Sequence, residues 1–341
     1  EWARTRASEN TMVKYIIKRI LYSILILFFV SVLIYFLARC LPTDYIDNKF
    51  ADKLGMGQIT QEQIDDIKRM YGLLDNSFFG ILSGYFTWLS NVLKLDLGTS
   101  FKFELPVAEV IGEYMWISFG ISLVAMVLQF LIAIPLGVMS ATHQYGPMDY
   151  VVTIFTMIGI SLPSFFLATL LLKVFSTTLG WLPMQGLTDA MKDYTGLAKV
   201  GDIIRHCILP VATLVIINIG GLMRYSRTNT LEVLNADYIR TARAKGLSER
   251  TVIYKHVFRN TMIPLVTMMA GILPGLFGGA MITEEVFQLQ GIGQKAYEAL
   301  KEGDVPFIMG YNMFLAILTV IGTLLADLAY AVVDPRVKLD K

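Results

Sequence analysis

Enzymatic chemistry needs a constellation of reactive side chains, and the three histidines of this 341-residue chain do not form one. His143, His206 and His256 lack the His-Glu-x-x-His spacing of a zinc site. No Gly-Lys dipeptide occurs, which excludes the phosphate-binding loop of an ATPase. Ser161 and Ser164 in "GISLPSF" lack the Gly-x-Ser-x-Gly pattern of a serine hydrolase. We therefore predict a non-enzymatic chain without a catalytic residue, a metal site or a cofactor of its own.

The side chains suited to binding another protein lie in a basic stretch at positions 236–250, "ADYIRTARAKGLSER". Arg240, Arg243, Lys245 and Arg250 are separated by small alanines. Small residues let a second backbone approach closely, and an arginine can pair through two hydrogen bonds with an acidic residue of a partner. The stretch therefore has the composition of a docking surface.

Capping residues divide this stretch into two short helices. Asn235 can cap a helix over Ala236–Lys245, Gly246 can end that helix in the left-handed conformation, and Ser248 can cap a second helix. A basic loop that only fixes membrane orientation is the alternative. A capped pair of helices hinged at a glycine is more than orientation requires, so we favour a docking element.

Long apolar runs surround the basic stretch. The chain is 55% hydrophobic and 17% charged, whereas soluble domains carry about 25% charged residues. Roughly 20 apolar residues cross the hydrocarbon core of a bilayer, and runs without alternation exclude a β-barrel. We therefore predict an all-α membrane protein with six transmembrane helices, over Ile20–Ala38, Met115–Thr142, Tyr150–Leu172, Cys207–Met223, Asn260–Thr283 and Val305–Ala326.

Prolines interrupt several of these runs, and a single carboxylate follows the last one. The prolines are either ordinary content of membrane helices or kinks in a bundle that moves. Asp327 is the clear ionisable candidate for a proton-coupled carrier, but one carboxylate near a helix end is more typical of a structural contact. The prolines concerned are Pro135, Pro163, Pro210, Pro264 and Pro274.

Basic residues indicate which side of the membrane each loop occupies. If the N-terminus is cytoplasmic, the inner segments carry fourteen Lys and Arg, including those of the basic stretch and of residues 335–341, and the short outer loops carry six. Cytoplasmic loops are the richer in Lys and Arg. We therefore predict that both termini are cytoplasmic.

The segment between the first two runs, residues 42–113, is predicted to form an extracytoplasmic subdomain. Thr60 and Gln63 have the spacing of a capping box, with Gly72 as a stop for the helix that follows. A second amphipathic helix lies in "SGYFTWLSNVLKLDLGTS". Its aromatic residues, Tyr85, Phe86 and Trp88, suit a membrane interface.

The remaining boundaries follow from these elements. Residues 1–11 precede a natural start at Met12 and are interpreted as a tag or non-native extension. Residues 12–41 hold a first helix that is retained rather than cleaved as a signal peptide. Residues 114–334 form a five-helix core with a cytoplasmic loop at 225–260, and residues 335–341 form a cytoplasmic tail. Cys40 and Cys207 give no disulfide framework.

The motif "DYIRTARAKGLSERTVIYKHVFRNTMIPLV" resembles the cytoplasmic EAA loop of binding-protein-dependent ABC importer permeases, in the form found in dipeptide, oligopeptide and nickel permeases. Arg240-Thr241-Ala242 stands in place of the Glu-Ala-Ala triplet, and Gly246 is the motif's glycine. Residues 256–259, His-Val-Phe-Arg, replace the later Ile-x-Leu-Pro. Both departures are usual in the peptide branch.

The resemblance extends over roughly residues 13–337. The outer segment "GLLDNSFFGILSGYFTWLSNVLKLDLGTSF" is similar to that of the first of the two peptide-permease subunits, and "SLPSFFLATLLLKVFSTTLGWLPMQG" resembles the family's third span. "EEVFQLQGIGQKAYEAL" followed by "DVPFIMG" resembles another family segment, with Gln290 where proline is expected. "DLAYAVVDPRV" matches the family's ending and assigns Asp327 and Asp334 to a structural signature.

This resemblance implies a type I ABC importer permease fold in a bacterial inner membrane. It implies as partners a second homologous permease, two cytoplasmic ATPases that bind ATP and Mg, an extracytoplasmic peptide-binding protein and membrane lipid, with no nucleic acid. Nickel or another small solute remains an alternative cargo, and substrate-binding residues are unknown. The residues it implies for ATPase coupling are Asp237, Tyr238, Arg240, Thr241, Ala242, Arg243, Ala244, Lys245, Gly246, Leu247 and Ser248.

Overall fold

The computed structural model describes residues 2–40, 44–70, 77–270 and 272–333. Helices dominate this part of the chain, and its β pairing is one antiparallel bridge between Thr99 and Pro106. The described residues divide into two compact units. One contains the chain up to Tyr114 and Lys295–Ile321, and the other contains Met115–Gln294 and the residues from Gly322 onward.

Four continuous helices are long and apolar enough to cross a membrane, and they coincide with the first, second, fourth and sixth predicted spans. They are α1 (Trp2–Arg39, apolar from Ile17), α5 (Val107–Thr142), α8 (Gly196–Leu234) and α15 (Val305–Val333, apolar to Asp327). Pro135 and Pro210 lie inside α5 and α8 without ending them. These two prolines therefore do not break their helices.

The third predicted span is a bent pair of helices and not one continuous helix. Helix α6 covers Pro147–Ser161, and α7 covers Ser164–Leu171 and continues as a π-helix over Leu172–Thr178. The two segments differ in direction by 104°. The break lies at Pro163, because a proline disfavours helical geometry in the residue before it, and Leu162 is extended with ψ 129°.

The fifth predicted span, Asn260–Thr283, is also divided. Helix α10 (Glu249–Thr251) leads through a π-helix over Val252–Val257 into α11 (Phe258–Ala270), and α12 (Leu273–Gly278) and α13 (Met281–Phe287) follow. Gly279 separates α12 from α13 with a φ of +74°, which a residue with a side chain rarely adopts. The prediction of one continuous helix here is wrong, and the count of six spans remains a prediction.

The outer segment of the first unit contains three helices, α2 (Asp44–Gly55), α3 (Gln61–Met70) and α4 (Phe78–Leu93). The predicted capping box is confirmed. The Thr60 N–H donates to Gln63 Oε1 at 2.9 Å, and the Gln63 N–H donates to Thr60 Oγ1 at 3.3 Å. The predicted stop at Gly72 lies outside the described residues, as do Asp334 and the basic residues of the C-terminal tail.

Two of the three aromatic residues predicted for a membrane interface instead form a core with α1. Tyr85 and Trp88 are buried, and their rings lie 5.7 Å and 5.9 Å from the ring of Tyr35. The Tyr85 hydroxyl lies 2.8 Å from Ser31 Oγ, which satisfies its polar end inside the core. Phe86, which has no polar end, is the exposed one of the three.

Helix α14 covers Ile292–Lys301, and a buried carboxylate starts α15 just after it. Asp304 accepts hydrogen bonds from the Ser100 hydroxyl (2.5 Å), the Lys102 N–H (2.9 Å) and the Phe307 N–H (3.2 Å). The last of these bonds satisfies a free N–H in the first turn of α15. Asp304 therefore joins residues 100–102 to the helix start.

A second buried carboxylate, Glu284, organises the loop around α13. It accepts hydrogen bonds from the Ser118 hydroxyl at 2.7 Å, the Ala280 N–H at 2.9 Å and the Gln294 N–H at 3.0 Å. A Cβ atom added at Gly291 would lie 2.3 Å from a carboxylate oxygen of Glu284. The glycines of "GIG" are thus needed for the backbone to reach this carboxylate.

Candidate functional site

The basic stretch begins at the end of α8, where Asn235 has a different role from the one predicted. Its side-chain amide donates to the carbonyl oxygen of Leu231 at 3.0 Å, so it caps the end of α8. The next helix, α9 (Asp237–Ala244), begins after Ala236 without a side-chain cap. The prediction that Asn235 starts this helix is wrong, because the last carbonyl groups of α8 also need hydrogen-bond donors.

The other two capping predictions are confirmed. Gly246 has a φ of +77° and follows the C-terminal end of α9, and its N–H donates to the Arg243 carbonyl at 3.0 Å. Ser248 Oγ accepts a hydrogen bond from the Thr251 N–H at 3.4 Å and caps α10. The stretch is therefore two short helical segments joined at a left-handed glycine.

A small apolar cluster attaches this loop to its neighbours. Ile239, Val252 and Val257 are fully buried, and the partly buried Val233 packs against them. Ile239 lies on α9, the two valines lie on the π-helix that precedes α11, and Val233 lies at the end of α8. The cluster therefore packs α9 against the end of α8 and against the π-helix that leads into α11.

The structure places most of the predicted coupling residues on one exposed surface, and Ala242 beneath it. Ala242 is 7% exposed and belongs to the apolar cluster. Tyr238 and Leu247 are 49% and 41% exposed, and they add apolar surface beside the basic side chains. The exposed residues are Asp237, Tyr238, Arg240, Thr241, Arg243, Ala244, Lys245, Gly246, Leu247 and Ser248.

Arg243 has a hydrogen-bond partner within the loop. Its Nε and a terminal nitrogen donate to the two carboxylate oxygens of Glu249 at 3.1 Å and 2.5 Å. This pairing lowers the pKa of Glu249 and raises the pKa of Arg243. The ion pair spans Gly246 and holds the two short helical segments together. Arg240 lies 3.7 Å from Asp237, and both of these side chains are largely exposed.

A partly buried ion pair joins the helix ends in the same unit. Arg227, in the last two turns of α8, donates to both carboxylate oxygens of Asp149 at 3.0 Å and 2.9 Å. Its Nε also lies 3.1 Å from the hydroxyl of Ser140, and that hydroxyl donates to Asp149. The Tyr145 N–H donates to Asp149 at 3.0 Å. One carboxylate therefore connects the end of α5, the turn after it, the start of α6 and α8.

The sequence analysis did not identify this pair, because its members are far apart along the chain. The available signal was that Asp149 directly precedes one apolar run and that Arg227 lies four residues after the end of another. A charge in that position is costly to bury without a partner.

The three histidines lie apart in the structure. His143 Nδ1 contacts the Met139 carbonyl at 3.1 Å, and His206 Nδ1 contacts the Asp202 carbonyl at 2.9 Å. Within the part of the chain that the structure describes, no group of three or more His, Cys, Asp or Glu could hold a metal ion.

Comparison with known sequences covers nearly the whole chain. The family described as "Binding-protein-dependent transport system inner membrane component" matches residues 133–339, and the family of its N-terminal part matches residues 12–122. The oligopeptide transport system permease protein AppB of Bacillus subtilis is 36% identical over 328 residues, which is 96% of this chain and 100% of that protein. The dipeptide transport system permease protein DppB of Bacillus subtilis is 30% identical over 331 residues, which is 97% of this chain and 99% of that protein.

A solved structure shares the fold. The inward-facing MetNI methionine ABC transporter contains a chain that matches with a TM-score of 0.52 and 18% sequence identity. The match covers 67% of this chain and 97% of that one. At this identity, the likeness concerns the arrangement of the helices.

Proposed function

The chain belongs to the family of binding-protein-dependent transport system inner membrane components, and from this premise we propose that it is a permease subunit of an ATP-driven importer of peptides. The observation that carries the proposal is the near full-length match to permease proteins named for oligopeptide and dipeptide transport. A chain that matches these proteins from end to end supplies half of the translocation pathway, and a second homologous permease supplies the other half.

The proposed assembly extends on both sides of a bacterial inner membrane. Two cytoplasmic ATPases bind ATP and Mg, and an extracytoplasmic protein delivers the peptide. In this arrangement the chain crosses the lipid six times with both termini in the cytoplasm. The excess of Lys and Arg in the segments assigned to the cytoplasm supports this orientation.

Within this assembly, residues 237–248 are proposed to dock on one ATPase. Three properties support this role: the surface is exposed, it combines cations with Tyr238 and Leu247, and it packs from below against the apolar cluster. A rigid contact transmits displacement better than a mobile loop does, because no movement is lost in reordering the chain.

The ion pair of Arg227 and Asp149 extends this path of transmission. A displacement of α9 reaches α8 through the apolar cluster. The displacement then reaches the end of α5 and the start of α6 through the hydrogen bonds of Arg227 with Ser140 and Asp149. Several spans can thus respond together when the ATPases close on ATP.

The proposal is tested by purifying the chain in mild detergent with the proteins that accompany it. ATP turnover is then measured with and without peptide-loaded binding protein. The informative variant is Arg240→Glu, because Arg240 is exposed and its ion pair with Asp237 is long. A like charge placed against an acidic partner costs several kcal/mol, so we expect stimulated turnover to fall about tenfold or more.

Lys199→Glu is the matched control, since Lys199 is also exposed but lies in the first turn of α8, on the side predicted to be outside the cell. It makes the same change of charge and should leave turnover near the wild-type value. Equal loss in both variants, or no loss in Arg240→Glu, would argue against docking through residues 237–248. Absence of any co-purified ATPase from the wild-type sample would refute the importer itself.

A further inference from the structure

A polar pocket lies at the start of α8, on the side of the chain predicted to be outside the cell. Its volume is about 640 Å³, and its walls come mainly from the loop over residues 180–194 and from residues 202–206 of α8. This volume lies within the range of about 300–1,000 Å³ that small-ligand sites occupy. The lining includes two carboxylates, two cations and a histidine, which are Asp189, Asp202, Lys192, Arg205 and His206.

Hydrogen bonds attach the loop of the pocket to two neighbouring helices. The Gly186 N–H donates to the carbonyl of Phe287, the last residue of α13, at 2.9 Å. The Asp189 N–H donates to a carboxylate oxygen of Asp202 on α8 at 2.7 Å. A wall that is already held in place has little left to order when a ligand binds. The pocket is therefore formed before any ligand enters.

His206 lines this pocket with a side chain that is only 5% exposed. Its Nδ1 lies 2.9 Å from the carbonyl oxygen of Asp202, one turn earlier in α8. A carbonyl can only accept, so Nδ1 carries the hydrogen, and Nε2 of the neutral ring is an acceptor. None of the described residues donates to Nε2. A polar atom of an enclosed side chain usually has a partner, and here the pocket is the place from which one can come.

Asp189 adds a negative charge near this nitrogen. One of its oxygens accepts the Met191 N–H at 3.0 Å, and the other lies 3.5 Å from Nζ of Lys192, which is largely exposed. The hydrogen bond from Met191 holds the pKa of Asp189 below its usual range, and Lys192 and His206 lower this pKa further. The carboxylate is thus ionised at neutral pH, and its oxygens can accept further hydrogen bonds. His206 and Asp189 together suit a ligand group that is cationic and donates hydrogen bonds.

Arg205 supplies the opposite chemistry. One of its terminal nitrogens donates to the Trp181 carbonyl at 2.9 Å, and the side chain is exposed. A guanidinium has five N–H donors, and the described chain engages one of them. The remaining donors form a fork that fits a carboxylate with two parallel hydrogen bonds. The pocket therefore offers acceptors for a cation and donors for an anion.

On the basis of the proposed function, we propose that this pocket binds the two charged termini of the transported peptide. The terminal ammonium donates to His206 Nε2 and to Asp189, and the terminal carboxylate accepts from Arg205. A ligand with charge of one sign would meet like charge on the opposite wall, whereas a free peptide carries both signs. The termini are common to all unblocked peptides, so the site tolerates different side chains.

Binding of trialanine to the assembled transporter tests the two termini separately. The transporter is held in lipid nanodiscs without its binding protein, and the Kd is measured by saturation-transfer NMR, which detects weak binding. Acetylation of the amino group removes the ammonium, and amidation removes the carboxylate. Each removes one ion pair that water partly screens, so the Kd should rise about 3- to 10-fold in either case.

Two variants assign each terminus to its side chain. Asp189→Asn removes the charge but keeps an oxygen to accept the Met191 N–H. It should raise the Kd of trialanine about 3- to 10-fold and leave the Kd of the acetylated peptide unchanged. Arg205→Gln keeps a donor for the Trp181 carbonyl. It should weaken trialanine to the same extent and leave the amidated peptide unchanged. A purely structural role would weaken all three peptides equally, and that result would overturn the assignment.

His206→Phe and two matched controls complete the set. His206→Phe keeps a ring of similar size without its nitrogens and should behave as Asp189→Asn does. Asp193→Asn and Lys199→Gln are the controls, because both residues are exposed, lie close along the chain and do not line the pocket. They lose the same charges, and each should leave all three Kd values unchanged.

Three results with the wild type would overturn the proposal. Equal Kd values for free and blocked trialanine would exclude the termini. Saturable binding of Ni²⁺ without binding of trialanine, lost in His206→Phe, would assign the pocket to a metal cargo. Absence of trialanine binding together with weaker docking of the binding protein in Asp189→Asn and Arg205→Gln would assign it to that protein.

Peptide uptake separates these failures from a failure of the proposed function. If proteoliposomes with the wild-type transporter, ATP and binding protein import trialanine while the pocket tests fail, the importer stands and only the pocket assignment is lost. If they import no peptide and ATP turnover is not stimulated, the proposed function fails and the pocket assignment fails with it.

Discussion

Asp149 is a buried carboxylate whose two oxygens are both satisfied by neighbouring groups, chiefly by Arg227. Arg227→Met keeps most of the apolar stem but leaves the carboxylate without its charge partner. Breaking a fully buried pair costs about 3–5 kcal/mol, and because the Arg227 side chain is 26% exposed the cost here should be smaller. We therefore predict a clearly lower midpoint of thermal unfolding for Arg227→Met in detergent.

The double variant Arg227→Met, Asp149→Leu serves as the control, because it removes both charges. Replacing both partners by apolar residues is often close to neutral, so the double variant should regain most of the lost stability. If Arg227→Met alone unfolds at the wild-type midpoint, the ion pair does not hold these helix ends together.

Glu284 makes stability depend on pH in the opposite direction from a carboxylate whose pKa is lowered by an ion pair. Its side chain is buried, and burial raises its pKa although Ser118 and the Ala280 and Gln294 amides donate hydrogen bonds to it. Between the ordinary glutamate pKa of about 4.3 and the raised pKa of Glu284, this side chain is ionised in the unfolded chain and protonated in the folded protein. Rising pH therefore lowers the free energy of unfolding until the folded carboxyl also ionises.

Glu284→Gln isolates this contribution, since glutamine does not titrate. The hydrogen bonds that the variant loses lower its free energy of unfolding by about 1–3 kcal/mol. This loss is the same at every pH. The difference in unfolding free energy between wild type and variant should decrease from pH 4.5 to 7. A difference that is flat or increases over this range would contradict the raised pKa.

At the level of single residues, the sequence predicted caps and turns better than it predicted which side chains are buried. Gly246 and Ser248 have the predicted roles because caps and left-handed turns depend on nearest neighbours. Asn235 could satisfy either of two helix ends, and the sequence does not decide between them. Ala242 has the small side chain expected of a contact surface, yet it lies in a cluster whose other members are up to fifteen residues away.

Among the elements, the hinge between α9 and α10 depends on the backbone of one glycine. A Cβ atom at Gly246 would meet nothing within 4 Å, so a substitution there acts only through its φ of +77°. A β-branched residue is strained in this conformation by about 1–2 kcal/mol. Gly246→Val should therefore loosen the loop and speed hydrogen exchange of the α9 amides about 5- to 30-fold.

Gly246→Asn is the matched control, because asparagine tolerates the left-handed conformation. Its exchange rates should stay near those of the wild type. Wild-type protection in Gly246→Val would mean that the hinge does not determine the position of α9.

The apolar runs predicted where the spans lie but not where they bend. A run such as Tyr150–Leu172 has the same composition whether its helix is straight or broken. Pro163 breaks its helix, whereas Pro135 and Pro210 do not. Proline disfavours helical geometry in the residue before it at all three positions, so a single sequence does not tell these cases apart.

For the whole chain, the bent pair of α6 and α7 determines on which side the basic loop lies. With the N-terminus inside, α1 leads out and α5 leads back in. If the bent pair crosses the membrane, α8 then runs inward and residues 237–248 face the cytoplasm. If the pair instead enters and returns on the same side, α8 runs outward and the same loop cannot reach a cytoplasmic ATPase.

Cysteine labelling in intact cells distinguishes these two topologies. In a background without Cys40 and Cys207, an impermeant maleimide should label Lys192→Cys but not Lys245→Cys. The two positions flank α8 and both are exposed, so they must report opposite sides of the membrane. The excess of basic residues around position 245 favours the cytoplasm for this loop. Labelling of Lys245→Cys from outside would mean that α6 and α7 do not cross, and docking of the loop on an ATPase would be excluded.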